Sequence, residues 1–394
     1  MKVLWITSVY PSDIEPGKGV FHETQVQALI QSGVQVTVIC PVPKNPKMLR
    51  FLKKQYQGYC GIPPIYRRKG VTVYRPTYLA LPGQLRWAQP NHRIAASIIE
   101  TINEQEIEAD LIHAHFAMPS GGAAKLIATQ KGLPWVLTLH GSDVNVYPNY
   151  SASAKQAFIK TVKAANGVLT VGKSLQKKTK EMAGREASVL PIGVDLSLFN
   201  PCNQSKMKIR SQLQLPQNRK LILFVGRLIE EKGVFELAQA LDRLPKNVAL
   251  VLVGDGPAKE KLLQHQEIGS RIFLPGQIEN EQVKDYLIAS DVFALPSYSE
   301  GMPTVVIEAL ALKIPVVSTA VGSIPELFGE HSHLLVEPRS VKGLVDRLED
   351  FLYGRLDVKK YQEDLFEHIQ NHYHAEQNAR LLRAEYQRVL DTTL

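Results

Sequence analysis

The sequence predicts an α/β protein of two doubly wound, Rossmann-like domains, each built on a parallel sheet. Three observations predict it. The chain has 394 residues, more than one hydrophobic core ordinarily organises, so two domains of about 150–200 residues are expected. Short runs rich in Val, Ile and Leu alternate with helix-like stretches almost from end to end, as strands buried on both faces and joined by helices should. The alternation restarts in the second half, after a break marked by Pro, Gly and polar residues.

In chain order, the first half offers strands at Val3–Val9, Val34–Cys40, Val71–Arg75, Leu111–Ala114, Trp135–Leu139 and Val168–Val171, with helices such as His22–Gln31 and Ala152–Ala165 between them. The break falls around Leu190–Pro216, where Pro191-Ile-Gly-Val-Asp195, Phe199-Asn-Pro201 and a polar Asn203–Lys206 stretch interrupt the pattern. The second half supplies strands at Lys220–Val225, Val248–Val253, Ile272–Leu274, Val292–Leu295 and Val316–Ser318. No strand is expected after Leu335, and Val341–Leu390 reads as two or three amphipathic helices.

Composition excludes several classes. Hydrophobic residues at 44% and charged residues at 21% describe a globular enzyme rather than a disordered or fibrous chain. The three cysteines, Cys40, Cys60 and Cys202, lack metal-ligand spacing and argue for a reducing compartment without a disulfide framework. The opening apolar run stops at Pro11, and no stretch approaches the roughly 18 apolar residues of a membrane span. A cytoplasmic location is therefore expected, with peripheral contact at the inner face of the cell membrane left open.

The net charge is +8, and residues 44–69 alone carry eight cations and no acid: Lys44, Lys47, Arg50, Lys53, Lys54, Arg67, Arg68 and Lys69. An anionic partner is expected for this segment. Between Lys47 and Tyr59 cations alternate with large apolar residues, which as a helix would suit an anionic membrane interface. A solvated loop with a few buried aromatics is the plainer alternative. Nucleic acid is not expected as a partner, because no nucleic-acid module surrounds the segment.

Several motifs sit where an α/β fold places ligands. In Ser297-Tyr-Ser-Glu300-Gly-Met-Pro303-Thr-Val-Val-Ile-Glu308, Pro303 suits the first turn of a helix following the strand Val292–Leu295. Backbone N–H groups of Gly301, Met302 and Thr304, around Pro303, then offer a diphosphate site at a helix N-terminus. Glu308 lies about a turn and a half further on, within reach of ribose hydroxyls. A helix cap and a solvated helix residue would also account for the two glutamates. Gly226-Arg227-Leu-Ile-Glu-Glu-Lys232-Gly233 places a guanidinium and an ammonium at a strand-to-helix turn, where both can neutralise a diphosphate. His140-Gly-Ser-Asp143 follows the strand Trp135–Leu139, and the carboxyl end of a parallel strand is where open sheets hold ligand-facing groups. A capping Asp143 and a histidine satisfied within its turn are the alternative there.

Other patterns mislead. Gly167-Val-Leu-Thr-Val-Gly172-Lys173-Ser174 satisfies the P-loop spacing, but its middle residues read as the strand itself and leave no loop. Three His-x-His pairs (His113/His115, His331/His333 and His372/His374) suggest metal, yet no third ligand is apparent nearby in sequence. His113 and His115 are expected to serve a strand end instead. The G-x-G at Gly254 and Gly256 lacks the third glycine of a dehydrogenase fingerprint.

Taken together, the Glu300–Glu308 stretch resembles the E-x7-E signature of retaining glycosyltransferases of the GT-B fold, and within them the large family 4. The resemblance covers nearly the whole chain, with its motifs in the expected order. It implies a first domain, 1–195, on the acceptor side, a second, 201–370, for the nucleotide-sugar donor, and a 371–394 helix returning to the first domain. The two sheets are expected to face each other across a cleft. The family pattern implies catalytic roles for His140, Glu300, Arg227 and Lys232, with His140 and Glu300 near the donor sugar. It adds the glycine loop at Gly17 and Gly19, and backbone contacts to the base near Gly276 and Ile278, to the donor site of Gly301–Thr304 and Glu308. The donor is expected to be a nucleotide diphosphate sugar, with UDP favoured; no cofactor and no metal are expected, since no D-x-D motif occurs.

The resemblance implies retention through same-face attack by way of an oxocarbenium-like state, neither glutamate being an obvious covalent nucleophile. The opening Trp5-Ile-Thr-Ser-Val-Tyr-Pro11 and Val20-Phe-His-Glu-Thr-Gln25 resemble bacterial envelope-polysaccharide enzymes, particularly glycosyltransferases of teichuronic-acid biosynthesis. A lipid-linked or envelope-glycan acceptor follows from that likeness, with Lys47, Arg50, Lys53 and Lys54 facing acceptor or membrane. An enzyme using a small soluble acceptor and a non-catalytic nucleotide-sugar-binding scaffold are the alternatives.

Overall fold

The computed structural model describes residues 1–44, 61–80, 90–201, 204–355 and 358–393. Lys47, Arg50, Lys53 and Lys54 lie outside the described residues. The chain divides into two units, Met1–Ile192 with Glu376–Leu394, and Gly193–Ala375.

In the first unit the strands are β1 (Lys2–Ile6), β2 (Gln35–Ile39), β3 (Val42–Lys44), β4 (Ile65–Arg68), β5 (Val71–Tyr74), β6 (Thr77–Leu79), β7 (Leu111–His115), β8 (Trp135–Leu139), β9 (Gly167–Thr170) and β10 (Ser188–Val189). Eight of them form one sheet in the order β10-β9-β8-β7-β1-β2-β5-β4, while β3 and β6 pair separately. Every neighbour in the large sheet is parallel except β4 and β5. That hairpin, within the basic stretch, was not anticipated by the sequence pattern. It turns at Lys69 and Gly70, both left-handed (φ 45° and 81°), the backbone a two-residue hairpin favours.

Strand order reverses between β1 and β7, and ligands collect outside the carboxyl ends of strands at such a switch. Trp5 lies beside Val38 on one neighbour and His113 on the other, which brings an indole and an imidazole to this point. β1 ends at Ile6, shorter than the expected Val3–Val9, because the Thr7 hydroxyl donates to the Val9 carbonyl at 3.1 Å and turns the chain out of the sheet.

The helix Ala375–Asp391 packs onto this unit through Leu382, Tyr386 and Val389, all fully buried. Burial of each such side chain contributes about 1.5–3 kcal/mol. Gly167 makes room for it, since a Cβ there would lie 2.8 Å from the Glu385 carboxylate.

The second unit is simpler. Its strands β11 (Lys220–Val225), β12 (Val248–Val253), β13 (Ile272–Gly276), β14 (Val292–Leu295) and β15 (Val316–Ser318) are ordered β13-β12-β11-β14-β15, all parallel. Their near-continuous apolar content follows from burial on both faces. The order reverses between β11 and β14, and the two loops carrying Arg227 and Glu300 leave the carboxyl ends of those two strands. The tail comprises the helices Val341–Leu352, Val358–His372 and Ala375–Asp391.

Candidate active site

In the first unit, the ends of β1, β7 and β8 gather four imidazoles. His113 and His115 are two apart on β7 and share a face, their rings 4.1 Å apart. The helix Val20–Gln31 contributes His22 and the loop after β8 contributes His140. His113 bonds Tyr386 through Nδ1 (2.6 Å) and Thr138 through Nε2 (2.8 Å). His22 Nε2 meets the Thr7 hydroxyl at 2.8 Å, and His115 Nδ1 meets His140 Nε2 at 2.9 Å. Trp5 lies against the group, 3.9 Å from the His115 ring and 4.7 Å from that of His113. Phe21 and Phe116 flank His140 at 5.2 and 4.7 Å.

Burial disfavours the charged form of every ring. It holds His140 down to about 3, and it leads the causes that hold His22, His113 and His115 well below the ordinary histidine value. The four rings are neutral hydrogen-bonding groups at physiological pH. Asp143 fixes the loop that carries His140: its carboxylate accepts from the amides of Ala117 (3.0 Å), His140 (3.1 Å) and Gly141 (2.8 Å). Burial raises its pKa and those amides oppose the rise. Asp143 is thus a loop clamp, while His140 is left with a buried Nδ1 that has no partner.

The His113/His115 pair gains no third ligand among the described residues, but His115 alone joins another trio. Ring nitrogens of His22, His115 and His140 lie within 4.8 Å of one another, brought together by folding from residues far apart in sequence. The His115–His140 bond nevertheless limits what neutral rings can offer. One ring must donate across it and the other accept, so one of the two remaining nitrogens carries a proton and cannot be a ligand. A three-histidine metal site would have to break that bond.

The glycine loop leads into the same place. Gly19 has φ +78° and caps the helix that bears His22; a Cβ there would sit 3.1 Å from the Val9 carbonyl. Gly17 is exposed and a Cβ would meet nothing, so no steric requirement accounts for it.

In the second unit the loop after β14 holds Glu300, which is buried. Lys232 donates to its Oε1 at 2.6 Å and Ser297 at 2.5 Å. The sequence motifs gave these residues separate tasks; the structure joins them in one charge-assisted pair. Gly322 (φ +59°) makes the loop's position possible, because a Cβ there would lie 2.2 Å from the Glu300 carbonyl. Arg227 is exposed and has no ion pair among the described residues. Its loop is seated by Gly254 (φ +133°), whose Cβ would collide with the Gly226 carbonyl at 1.9 Å.

Glu308 is buried in the helix Thr304–Ala311, and burial pushes its carboxyl up to about 8. Solvated-residue behaviour is thereby excluded. Pro303 occupies the N-cap rather than the first helical turn, with Gly301 and Met302 just before it. Gly276 ends β13 at φ +91°, its carbonyl accepting from Gly254 at 2.8 Å, and Ile278 follows half-buried.

The misleading patterns resolve by position. Gly167–Thr170 is β9, so no phosphate loop forms there. His331 pairs with Asp364 at 3.0 Å, and His372 bonds the His368 carbonyl. Thr7, His22 and Ser297 fell within quoted motifs but were given no role by the sequence reading, and Tyr386 was not singled out. His22 carried a signal as the third residue of the helix entered from Gly19.

Two predominantly parallel sheets of this topology, with polar clusters at the carboxyl ends of their strands, have the GT-B fold, and the family matches make the class a glycosyltransferase. The chain belongs to glycosyltransferase family 4, whose profile matches residues 17–198, while that of the glycosyl transferases group 1 matches residues 205–372. It is 50% identical over 394 residues, all of both chains, to a Bacillus subtilis (strain 168) protein assigned to teichuronic acid biosynthesis as a glycosyltransferase. In fold it is similar to sucrose-phosphate synthase from Thermosynechococcus elongatus (TM-score 0.77, 21% identity, 99% of each chain). It is also similar to the Anabaena protein HepE in complex with UDP-glucose (TM-score 0.74, 19% identity, 98% of this chain and 100% of that one). Among the described residues no helix is long and apolar enough to cross a membrane.

Proposed function

We propose that this glycosyltransferase moves a sugar from a nucleotide diphosphate donor, UDP favoured, with retention at the anomeric carbon and without a metal. The acceptor is a lipid-linked or envelope-glycan saccharide. The observation that carries the reading is the Lys232–Glu300 pair together with an exposed Arg227, on loops that leave the adjacent strands β11 and β14 at the strand switch of the second unit. Fixed cations there stabilise negative charge as the diphosphate leaves. The 50%-identical relative supports an envelope acceptor, and the UDP-glucose complex of a protein of the same fold supports the donor class.

In this scheme the bond from the anomeric carbon to the phosphate oxygen breaks, and the acceptor oxygen bonds the same face of an oxocarbenium-like carbon. The departing phosphate oxygen takes the acceptor proton. Arg227 and Lys232 hold the diphosphate, with the backbone of Gly301, Met302, Pro303 and Thr304 beside it. Glu300 and His140 orient the sugar, His140 as a neutral group. Glu308 binds ribose hydroxyls, Gly276 and Ile278 frame the base, and the Gly17–Gly19 loop borders the sugar.

A thermal-shift panel of nucleotide diphosphate sugars tests the donor. A UDP-sugar is expected to raise Tm in proportion to the logarithm of its concentration above Kd. A panel in which no nucleotide sugar shifts Tm sinks the reading. NMR of the product, showing the donor's anomeric configuration kept or inverted, decides retention. Transfer to a soluble acceptor without a lipid carrier would replace the envelope acceptor. Lys47, Arg50, Lys53 and Lys54 are assigned to an anionic membrane surface. Neutralising the four is expected to weaken binding to anionic liposomes while sparing donor hydrolysis, and equal liposome binding would remove the assignment.

A further inference from the structure

We propose that Tyr298 and Glu236 form a strut that sets the Lys232 segment against the Glu300 loop, which makes both of them positioning residues for sugar transfer. The effect on transfer rests on the function proposed above; the strut itself does not.

Lys232 and Glu300 reach each other from loops that leave different strands, β11 and β14. Their ion pair cannot fix that register alone. A lysine ammonium rides on four flexible carbons, and a partly exposed pair is screened by water. Towards β15 the Glu300 loop is tied through its backbone. The Ser297 carbonyl accepts from the Thr319 hydroxyl at 2.6 Å, and the Gly301 carbonyl accepts from the Ser323 amide at 3.0 Å. Towards Lys232 the bonds gather on Tyr298. Its amide donates to the Glu231 carbonyl at 2.8 Å, and its hydroxyl donates to Oε1 of Glu236, in the first turn of the helix Val234–Arg243. The Arg339 guanidinium lies over the tyrosine ring, 4.4 Å from its centre. Gly233 (φ +71°) permits the close approach of the two segments, since a Cβ there would lie 2.3 Å from the Pro296 carbonyl.

Two features distinguish a strut from ordinary packing. Tyr298 adjoins Ser297, whose hydroxyl donates to the same Glu300 oxygen that Lys232 holds. A shift of the tyrosine therefore passes to that carboxylate through one peptide unit. The second feature is Glu236, whose Oε2 is buried without a partner. A buried carboxyl that uses only one of its oxygens is costly, and an exposed position would avoid the cost. Its place at a helix N-terminus offsets only part of it. Burial, and then the bond to Glu236, push the phenol up to about 12, so the hydroxyl remains a donor across the neutral range.

The test compares variants of the full chain with the UDP-sugar that raises Tm. Tyr298→Phe keeps the ring and the amide and removes only the hydroxyl bond. It is expected to lower kcat by about tenfold while the donor KM stays within about threefold. Glu236→Ala should match it, and the double variant should lose no more than either single one, because both break one contact. Glu236→Gln keeps an oxygen for the hydroxyl and should stay near wild type. A role in stability alone would lower Tm and leave kcat per folded molecule unchanged. Hydrogen exchange without any substrate reads the strut directly: amides in 230–236 and 297–301 should exchange faster in Tyr298→Phe. Wild-type kcat in Tyr298→Phe, multiplied losses in the double variant, equal losses in Glu236→Gln and Glu236→Ala, or unchanged exchange overturns the proposal. Where Tyr298→Phe is too unstable to assay, the two Glu236 variants decide. Should no nucleotide sugar prove to be a donor, the proposed function falls, and the exchange measurement alone judges the strut.

Discussion

The two polar clusters solve different electrostatic problems. In the first unit Trp5, Phe21 and Phe116 wall in four imidazoles, and burial keeps all of them neutral. In the second unit permanent charge is kept within reach of water: Arg227 is exposed, and the Lys232 side chain retains 25% of its surface while holding Glu300. A cation that must meet negative charge developing in a reaction cannot be desolvated cheaply in advance. A group that only distinguishes one hydroxyl from another is better neutral and rigid, since its directional hydrogen bonds then carry the discrimination. Glu308 departs from this, as a carboxyl that burial raises to about 8.

The sharpest way to break this contrast is kinetic. Arg227→Ala and Lys232→Ala are each expected to lower kcat by about 100-fold, and His140→Ala by about tenfold. A His140 loss equal to or greater than that of the cations would reverse the assignment of tasks. Gly322→Ala probes how the charged loop is held. A Cβ 2.2 Å from the Glu300 carbonyl, at φ +59°, should cost about 2 kcal/mol or more in urea unfolding. A change below about 0.5 kcal/mol would show that the loop relocates freely.

The clusters also differ in the sign of their pH dependence. The imidazoles have folded pKa values below the ordinary 6.5, so the unfolded chain binds more protons and stability is lost as pH falls below that value. Glu308 is raised from the ordinary 4.5 to about 8, so its contribution is full below 4.5 and is lost as pH climbs through 8. The two oppose each other between these limits. Glu308→Gln should therefore steepen the fall of the urea midpoint on acidification from neutral pH towards 5. An unchanged pH profile would mean that Glu308 ionises normally. The smallest effect is expected from Tyr386→Phe, which leaves His113 Nδ1 bare and should cost about 1 kcal/mol. No loss at all would mean that the phenylalanine ring packs well enough to compensate.

Much of the fold was legible because its strands are buried on both faces, and a run such as Val248–Val253 then has few alternatives. The short β10 and the β4–β5 hairpin were not legible. Ser188–Val189 is two residues long, and Arg67 and Arg68 read as part of a charged run although they belong to a strand. At the candidate site, the motifs named His140, Arg227, Lys232, Glu300 and Glu308 because each lies just after or within an element whose type was clear. The partners of those residues were not visible. Ser297 and Lys232 are separated by 65 positions of chain, yet both bond one carboxylate oxygen.

The sequence by itself determined the α/β class, the order of most elements and the residue types available at each strand end, because periodicity and turn chemistry act over a few residues. Tertiary structure alone decided which of those groups are charged and which are joined. Desolvation and hydrogen bonding depend on distances in space, and His22, His115 and His140 are brought together only when β1, β7 and β8 form one sheet.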